Sequence, residues 1–158
     1  MRTTVLGFTL LAVATAGFVQ AGEVNMPYSP TPERPVTGIP IDKTYAELSP
    51  EQQGMVKANY TNLGASDEPP YPLNGLKVIS QRIANSEVSA SVDGELVMQV
   101  DVSSSGEATA VTTVHSPNPS IARVAAVALQ RERYKPGICR GQPCAMPFIY
   151  HVELSSPR

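Results

Sequence analysis

Four residues of this chain could do chemistry by type. Cys139 and Cys144, its only cysteines, lie in "YKPGICRGQPC" at 134–144, and the only histidines are His115 and His151. Two cysteines with four residues between them suit a redox pair, half of a metal site, or a covalent staple across a turn. C-x4-C is not the C-x-x-C spacing of thioredoxin-like redox motifs. Nor does it have the tight spacing of common zinc pairs, so a four-ligand set of Cys139, Cys144, His115 and His151 is not expected. His115 stands at a strand end beside Ser116-Pro117 and reads as a solvated turn histidine. His151 alternates away from the expected core, toward Glu153, and side chains two apart on a strand share a face without forming an acid/base dyad. The chain carries no GxSxG, HExxH, Walker loop or dinucleotide fingerprint. With no nucleophile-base constellation, neither an enzyme nor a cofactor or metal site is expected.

The compartment decides the cysteine chemistry. Arg2 supplies a minimal positive start, residues 5–18 are almost all apolar or small, and Val19-Gln20-Ala21 is a small-x-small cleavage pattern. Residues 1–21 therefore read as a secretory signal peptide cleaved after Ala21. The apolar run falls short of the ~20 residues of a membrane span. The membrane is expected as a partner only if this segment stays uncleaved. Removing it leaves 11 basic against 14 acidic residues, a formal charge of −3. That balance offers no basic stripe for nucleic acid. The expected location is an oxidising space such as a bacterial periplasm, where exported cysteines pair.

The elements that must position these residues follow from periodicity. Residues 22–48 read as a linker, because "PYSPTPERPVTGIP" holds five prolines and favours an extended spacer of roughly 40 Å. In 49–64, Ser49 can cap, Pro50 suits the first helical position, Gln52 completes a capping box and Gly64 stops the chain, predicting a helix over 50–63. Its stripe of Val56, Tyr60 and Leu63 is thin, so this helix is expected at the domain edge or free of it. Leu76, Ile79 and Ile83 predict a second helix over 74–85. From Val88 the period becomes two, and Leu96, Met98, Val100 and Val102 give the clearest strand. Asp93-Gly94 suits either a hairpin turn or a bulge. "SSSG" at 103–106 turns the chain into a second strand over 108–115. Asn118 and Pro119 open a third helix with Ile121, Ala125, Ala128 and Leu129 on one face, ended by Pro136. Phe148, Tyr150, Val152 and Leu154 then alternate as the core side of a last strand. The fold class is α+β, two layers, with a three- to four-stranded antiparallel sheet packed against helices on one face.

Residues 70–158 resemble the C-terminal domain of TonB-type energy transducers. The resemblance rests on "YPLNGL" at 71–76, "GELVMQVDVSSSGEATAVTTVHS", the helix with Ile121, Ala125 and Ala128, "RYKP" at 133–136, "GQP" at 141–143 and the closing strand. Glu132 stands where the family usually has an aromatic residue, and about ten additional residues separate "YP" from the first strong strand. The resemblance implies a sheet edge on the last strand, Phe148, Ile149, Tyr150, His151, Val152, Glu153 and Leu154. There a protein partner such as an outer-membrane receptor or envelope transport component adds an extended segment by β-augmentation. Pro147 cannot donate a hydrogen bond, so the ladder is expected to be interrupted there and binding confined beyond it. The expected function is a soluble periplasmic domain that recognises an extended protein segment. The alternatives are an anchored energy transducer, which needs an uncleaved N-terminus, and an envelope structural domain without a dedicated ligand. In the resemblance, "YKPGICRGQPC" is the turn between the last helix and the last strand. Cys139 and Cys144 would clamp that turn as a disulfide.

Overall fold

Ser49 and Pro50 start the first helix as their types require. The Gln52 N–H donates to Ser49 Oγ at 3.3 Å, and the Ser49 N–H donates to Gln52 Oε1 at 3.0 Å, the reciprocal pairing of a capping box. The computed structural model describes residues 38–87 and 91–156. The signal peptide expected at 1–21, the linker up to residue 37 and the strand start at 88–90 lie outside the described residues. Helix α1 (Pro50–Lys57) stops short of the expected residue 63. The N–H groups of Asn59 and Tyr60 bond to the carbonyls of Val56 and Lys57, three residues back, and Asn62 follows at φ 65°. This tight turn gives up the last helical residues and buries Asn59 and Tyr60 instead.

The end of the expected linker is packed into the domain. Ile39, Tyr45 and Leu48 are buried, and a short 3-10 turn over Tyr45–Glu47 is capped by Thr44 and Glu47. Strand β1 (Tyr71–Pro72) leads to helix α2 (Lys77–Ala84), which begins later than expected because Gly75 sits at φ +69° in the preceding turn. A Cβ at Gly75 would stand 2.6 Å from the Lys43 carbonyl oxygen, so only glycine fits between the two chain segments.

Strands β2 (Gly94–Val102) and β3 (Ala108–His115) form the expected hairpin, with Leu96, Met98, Val100 and Val102 fully buried. Helix α3 (Pro119–Gln130) opens with the Ser120 N–H donating to Asn118 Oδ1 at 2.7 Å and buries Ile121, Ala125, Ala128 and Leu129. It ends before Pro136, because Tyr134 turns back into the core. The Tyr134 hydroxyl donates to the Leu129 carbonyl at 2.9 Å, and its N–H to the Gly106 carbonyl. The chain continues as β4 (Tyr134–Lys135), paired with β1, then β5 (Gly137–Cys139), β6 (Gln142–Cys144) and β7 (Met146–Leu154).

The main sheet is antiparallel in the order β3-β2-β7. Helix α2 packs on α3, and α3 packs on β2 and β3, giving an α+β architecture whose core also takes in Tyr71, Tyr134, Phe148 and Tyr150. Contrary to the expected interruption, pairing of β7 with β2 runs unbroken from Met146 to Leu154, through Pro147 opposite Asp101. Strands β5 and β6 form a hairpin whose central Arg140 (φ 50°) and Gly141 (φ 79°) both adopt positive φ, as a two-residue type I′ turn requires. Cys139 and Cys144 are joined as a disulfide with Cα atoms 5.8 Å apart. Asp67 fastens this hairpin to the preceding loop, accepting from the Arg140 N–H at 2.8 Å and the Gly64 N–H at 3.1 Å.

Candidate functional site

Among the described residues, strand β7 has a sheet neighbour on one side only, and the direction of its other backbone groups can be worked out. The Asp101 carbonyl accepts from Thr109 Oγ1 at 2.9 Å, and the Ser103 N–H donates to the Glu107 carbonyl. Odd-numbered residues of this stretch thus point their backbone groups toward β3. Backbone direction alternates along a strand, so the even residues of β2 bond to β7. The odd residues of β7, opposite odd residues of β2, therefore turn their N–H and C=O groups outward. Pro147 falls on an outward position, where its missing N–H takes nothing from the ladder. Ile149, His151 and Glu153 each present an outward N–H and C=O.

The outward groups differ in access. Glu153 is exposed and Val152 and Leu154 are half-buried, whereas Met146 through His151 are buried. Residues of the N-terminal segment lie across this part of the strand. Ile39, Val56, Asn59 and Tyr60 share with Ile149 and His151 the walls of a cavity of about 60 Å³. Tyr71 and the Ser80–Tyr150 hydroxyl pair (3.5 Å) close its other side. His151 does alternate away from the helix layer, as its position in the sequence requires. It is buried all the same, because the turn after α1 covers that side. Its acidic neighbour is Glu95 across the sheet, with Nε2 to Oε2 at 3.9 Å, rather than Glu153. That separation is too long for a hydrogen bond.

Three residues that line the cavity also carry unsatisfied polar atoms. Among the described residues, the hydroxyls of Tyr60 and Tyr71 and both ring nitrogens of His151 are buried without a hydrogen-bond partner. The Tyr60 hydroxyl comes against the Ile149 backbone without reaching good hydrogen-bond geometry. Burial pushes the Tyr71 phenol up to about 12 and raises that of Tyr60 further. Both therefore stay neutral donors at any physiological pH. A buried donor without a partner carries its full desolvation cost, about 1–3 kcal/mol. Such a cluster at a cavity is a feature to be explained rather than ordinary packing.

The residues singled out in the sequence do not converge. Cys139 and Cys144 are consumed in the hairpin disulfide. His115 and His151 pair with Val97 from opposite sides of β2, about 10 Å apart at two strand spacings. Among the described residues, no three His, Cys, Asp or Glu side chains are grouped to hold a metal ion. Sequence reading missed Tyr60 and Tyr71 as site residues. Their one signal was type, since a tyrosine at a core position brings a hydroxyl that needs a partner. A second, open groove between α2 and α3 is lined by Val124, Val127 and Ala128 together with Arg82, Arg123 and Arg131. Arg82 in the last turn of α2 and Arg131 at the C-cap of α3 sit where helix dipoles favour cations. No protein-family model, curated protein or solved structure matches this chain.

Proposed function

We propose that this chain is an exported periplasmic protein whose domain, of TonB C-terminal type, captures an extended segment of a protein partner by strand addition along β7. The partner is an outer-membrane receptor or another component of envelope transport. One observation carries the reading: β7 ends the sheet, and its outward backbone groups at Ile149, His151 and Glu153 meet no strand among the described residues. Strand addition needs such a row of groups and makes little demand on side-chain identity. The segment starts pairing at the exposed Glu153 and extends toward His151, up to the turn carrying Asn59 and Tyr60, which stays in place.

A specific observation favours a second site for the same activity. Strand β3 is the other edge of the sheet, and its side chains are exposed or half-exposed throughout. By the same alternation Val111 and Thr113 point their N–H groups outward. Proline substitutions separate the two edges, because each removes one outward N–H and leaves the pairing to β2 intact. A photo-crosslinking residue at Glu153 is expected to trap an envelope partner in cells. Capture is expected to fall in Glu153→Pro and His151→Pro and to persist in Thr113→Pro. Loss only in Thr113→Pro moves the site to β3, and capture untouched by all three removes strand addition. The N-terminal residue of the exported protein separates a released domain, which starts at Gly22, from an anchored transducer.

A further inference from the structure

The cavity beside β7 combines three properties that ordinary packing does not require together. It has space, three of its lining residues, from separate elements, carry hydroxyl or imidazole groups that are buried without a partner among the described residues, and it adjoins outward backbone groups of an edge strand. The cavity's 60 Å³ is several times the ~10–15 Å³ that a single water needs, so it admits a small polar group.

We propose that this cavity is a recognition pocket for an uncharged primary amide on a short apolar stem, seated against Tyr60, Tyr71 and His151. The match is chemical. Ile39, Val56, Leu76 and Ile149 supply apolar wall for the stem. The two tyrosine hydroxyls donate to the amide oxygen, and the amide N–H groups find acceptors in the free imidazole nitrogen of His151 and the outward Ile149 carbonyl. A carboxylate of the same shape lacks donors for the imidazole nitrogen. It also finds no lysine or arginine among the cavity's lining residues, so the cost of burying its charge is offset only by the tyrosine hydroxyls and the imidazole N–H. A purely aliphatic group leaves the polar atoms unsatisfied. On the strand-addition reading, on which this step alone rests, the group is the glutamine side chain of the added segment. Main-chain pairing then supplies affinity, and the pocket selects the residue.

The test is a titration of the full exported chain, labelled with nitrogen-15, followed by amide chemical shifts, with propionamide, propionate and propane as probes. Propionamide is expected to give saturable shifts at Tyr60, Ile149 and His151, and to bind about tenfold or more tighter than either other probe, the scale of a lost buried hydrogen-bond pair. Tyr60→Phe and Tyr71→Phe are each expected to weaken it about five- to tenfold. Val56→Met, which fills the space without touching a polar group, is expected to abolish binding and serves if a tyrosine variant does not fold. No saturable shift with any probe shows a cavity for water only and overturns the proposal. Propionate binding as well as propionamide, or binding indifferent to Tyr60→Phe and Val56→Met, also overturns it. A paired titration with hexapeptides carrying glutamine or alanine at the centre separates the two readings. Propionamide binding with no response to either peptide leaves the pocket standing and removes strand addition.

Discussion

The outward direction of the odd residues of β7 can be tested without any ligand, by comparing prolines at adjacent positions. Val152 faces Leu96 in the ladder, and its N–H donates to the Leu96 carbonyl. Val152→Pro deletes that bond, leaves the carbonyl of a fully buried residue unpaired, and removes a half-buried side chain. The unpaired carbonyl costs about 1–3 kcal/mol and the lost apolar burial about 1 kcal/mol, together about 3 kcal/mol. Glu153→Pro removes an N–H that points to solvent from an exposed residue, and its effect should stay within about 1 kcal/mol. The chain has no tryptophan, so urea unfolding is best followed by far-ultraviolet circular dichroism. At a slope of about 1.5 kcal/mol per molar urea, Val152→Pro should lower the midpoint by roughly 2 M and Glu153→Pro by well under 1 M. Equal midpoints, or the reverse order, would refute the assignment of edge direction and with it the place of the binding edge.

Other perturbations probe the supports of the site. Replacing Cys139 and Cys144 with serine opens a six-residue ring and should cost about 2 kcal/mol on the chain-entropy model, read from the shift in urea midpoint; an alkylation assay on the native protein should find no free thiol. Gly75→Ala should destabilise by 2 kcal/mol or more, since it adds a clash with the Lys43 carbonyl to a positive φ, at about 1–2 kcal/mol for the left-handed backbone alone. An unchanged thermal midpoint would argue against that close approach. The pH dependence at the alkaline end follows from tyrosines 45, 60, 71, 134 and 150, all raised by burial, Tyr45 and Tyr71 to about 12. Folded values above the unfolded 10 mean that their contribution is complete below pH 10 and lost as pH rises through the folded values. Absorbance at 295 nm should therefore show these phenols ionising late and cooperatively with unfolding, and early titration of Tyr60 or Tyr71 would mean the cavity is open. At the acid end, the Ser156 hydrogen bonds hold Asp93 below its ordinary range, so what they contribute is present at neutral pH and fades as pH falls through the lowered value. Asp93→Asn should flatten that limb of the stability profile.

The sequence by itself determined the three helices and the three long strands with their inner faces, but not the short strands β1, β4, β5 and β6. Local rules sufficed where a residue's role depends on its neighbours in the chain: Ser49 with Gln52, Asn118 with Pro119, and the period-two run from Leu96 to Val102. The cysteine pairing belongs here too, because two residues five apart across a Gly-containing turn meet once that turn forms. Local rules failed where distant segments compete. Helix α1 ended early because Asn59 and Tyr60 find burial against β7, and the end of the proline-rich segment folded in because Ile39, Tyr45 and Leu48 find a core to join. Alternation alone could set the face on which His151 lies, yet it could not foresee that another segment would cover that face. The space between Tyr60, Tyr71 and His151 has no counterpart in the sequence, because these residues come from a turn, a short strand and the last strand. A cavity and its unpaired hydroxyls exist only once long-range packing has brought such surfaces together and left them short of contact.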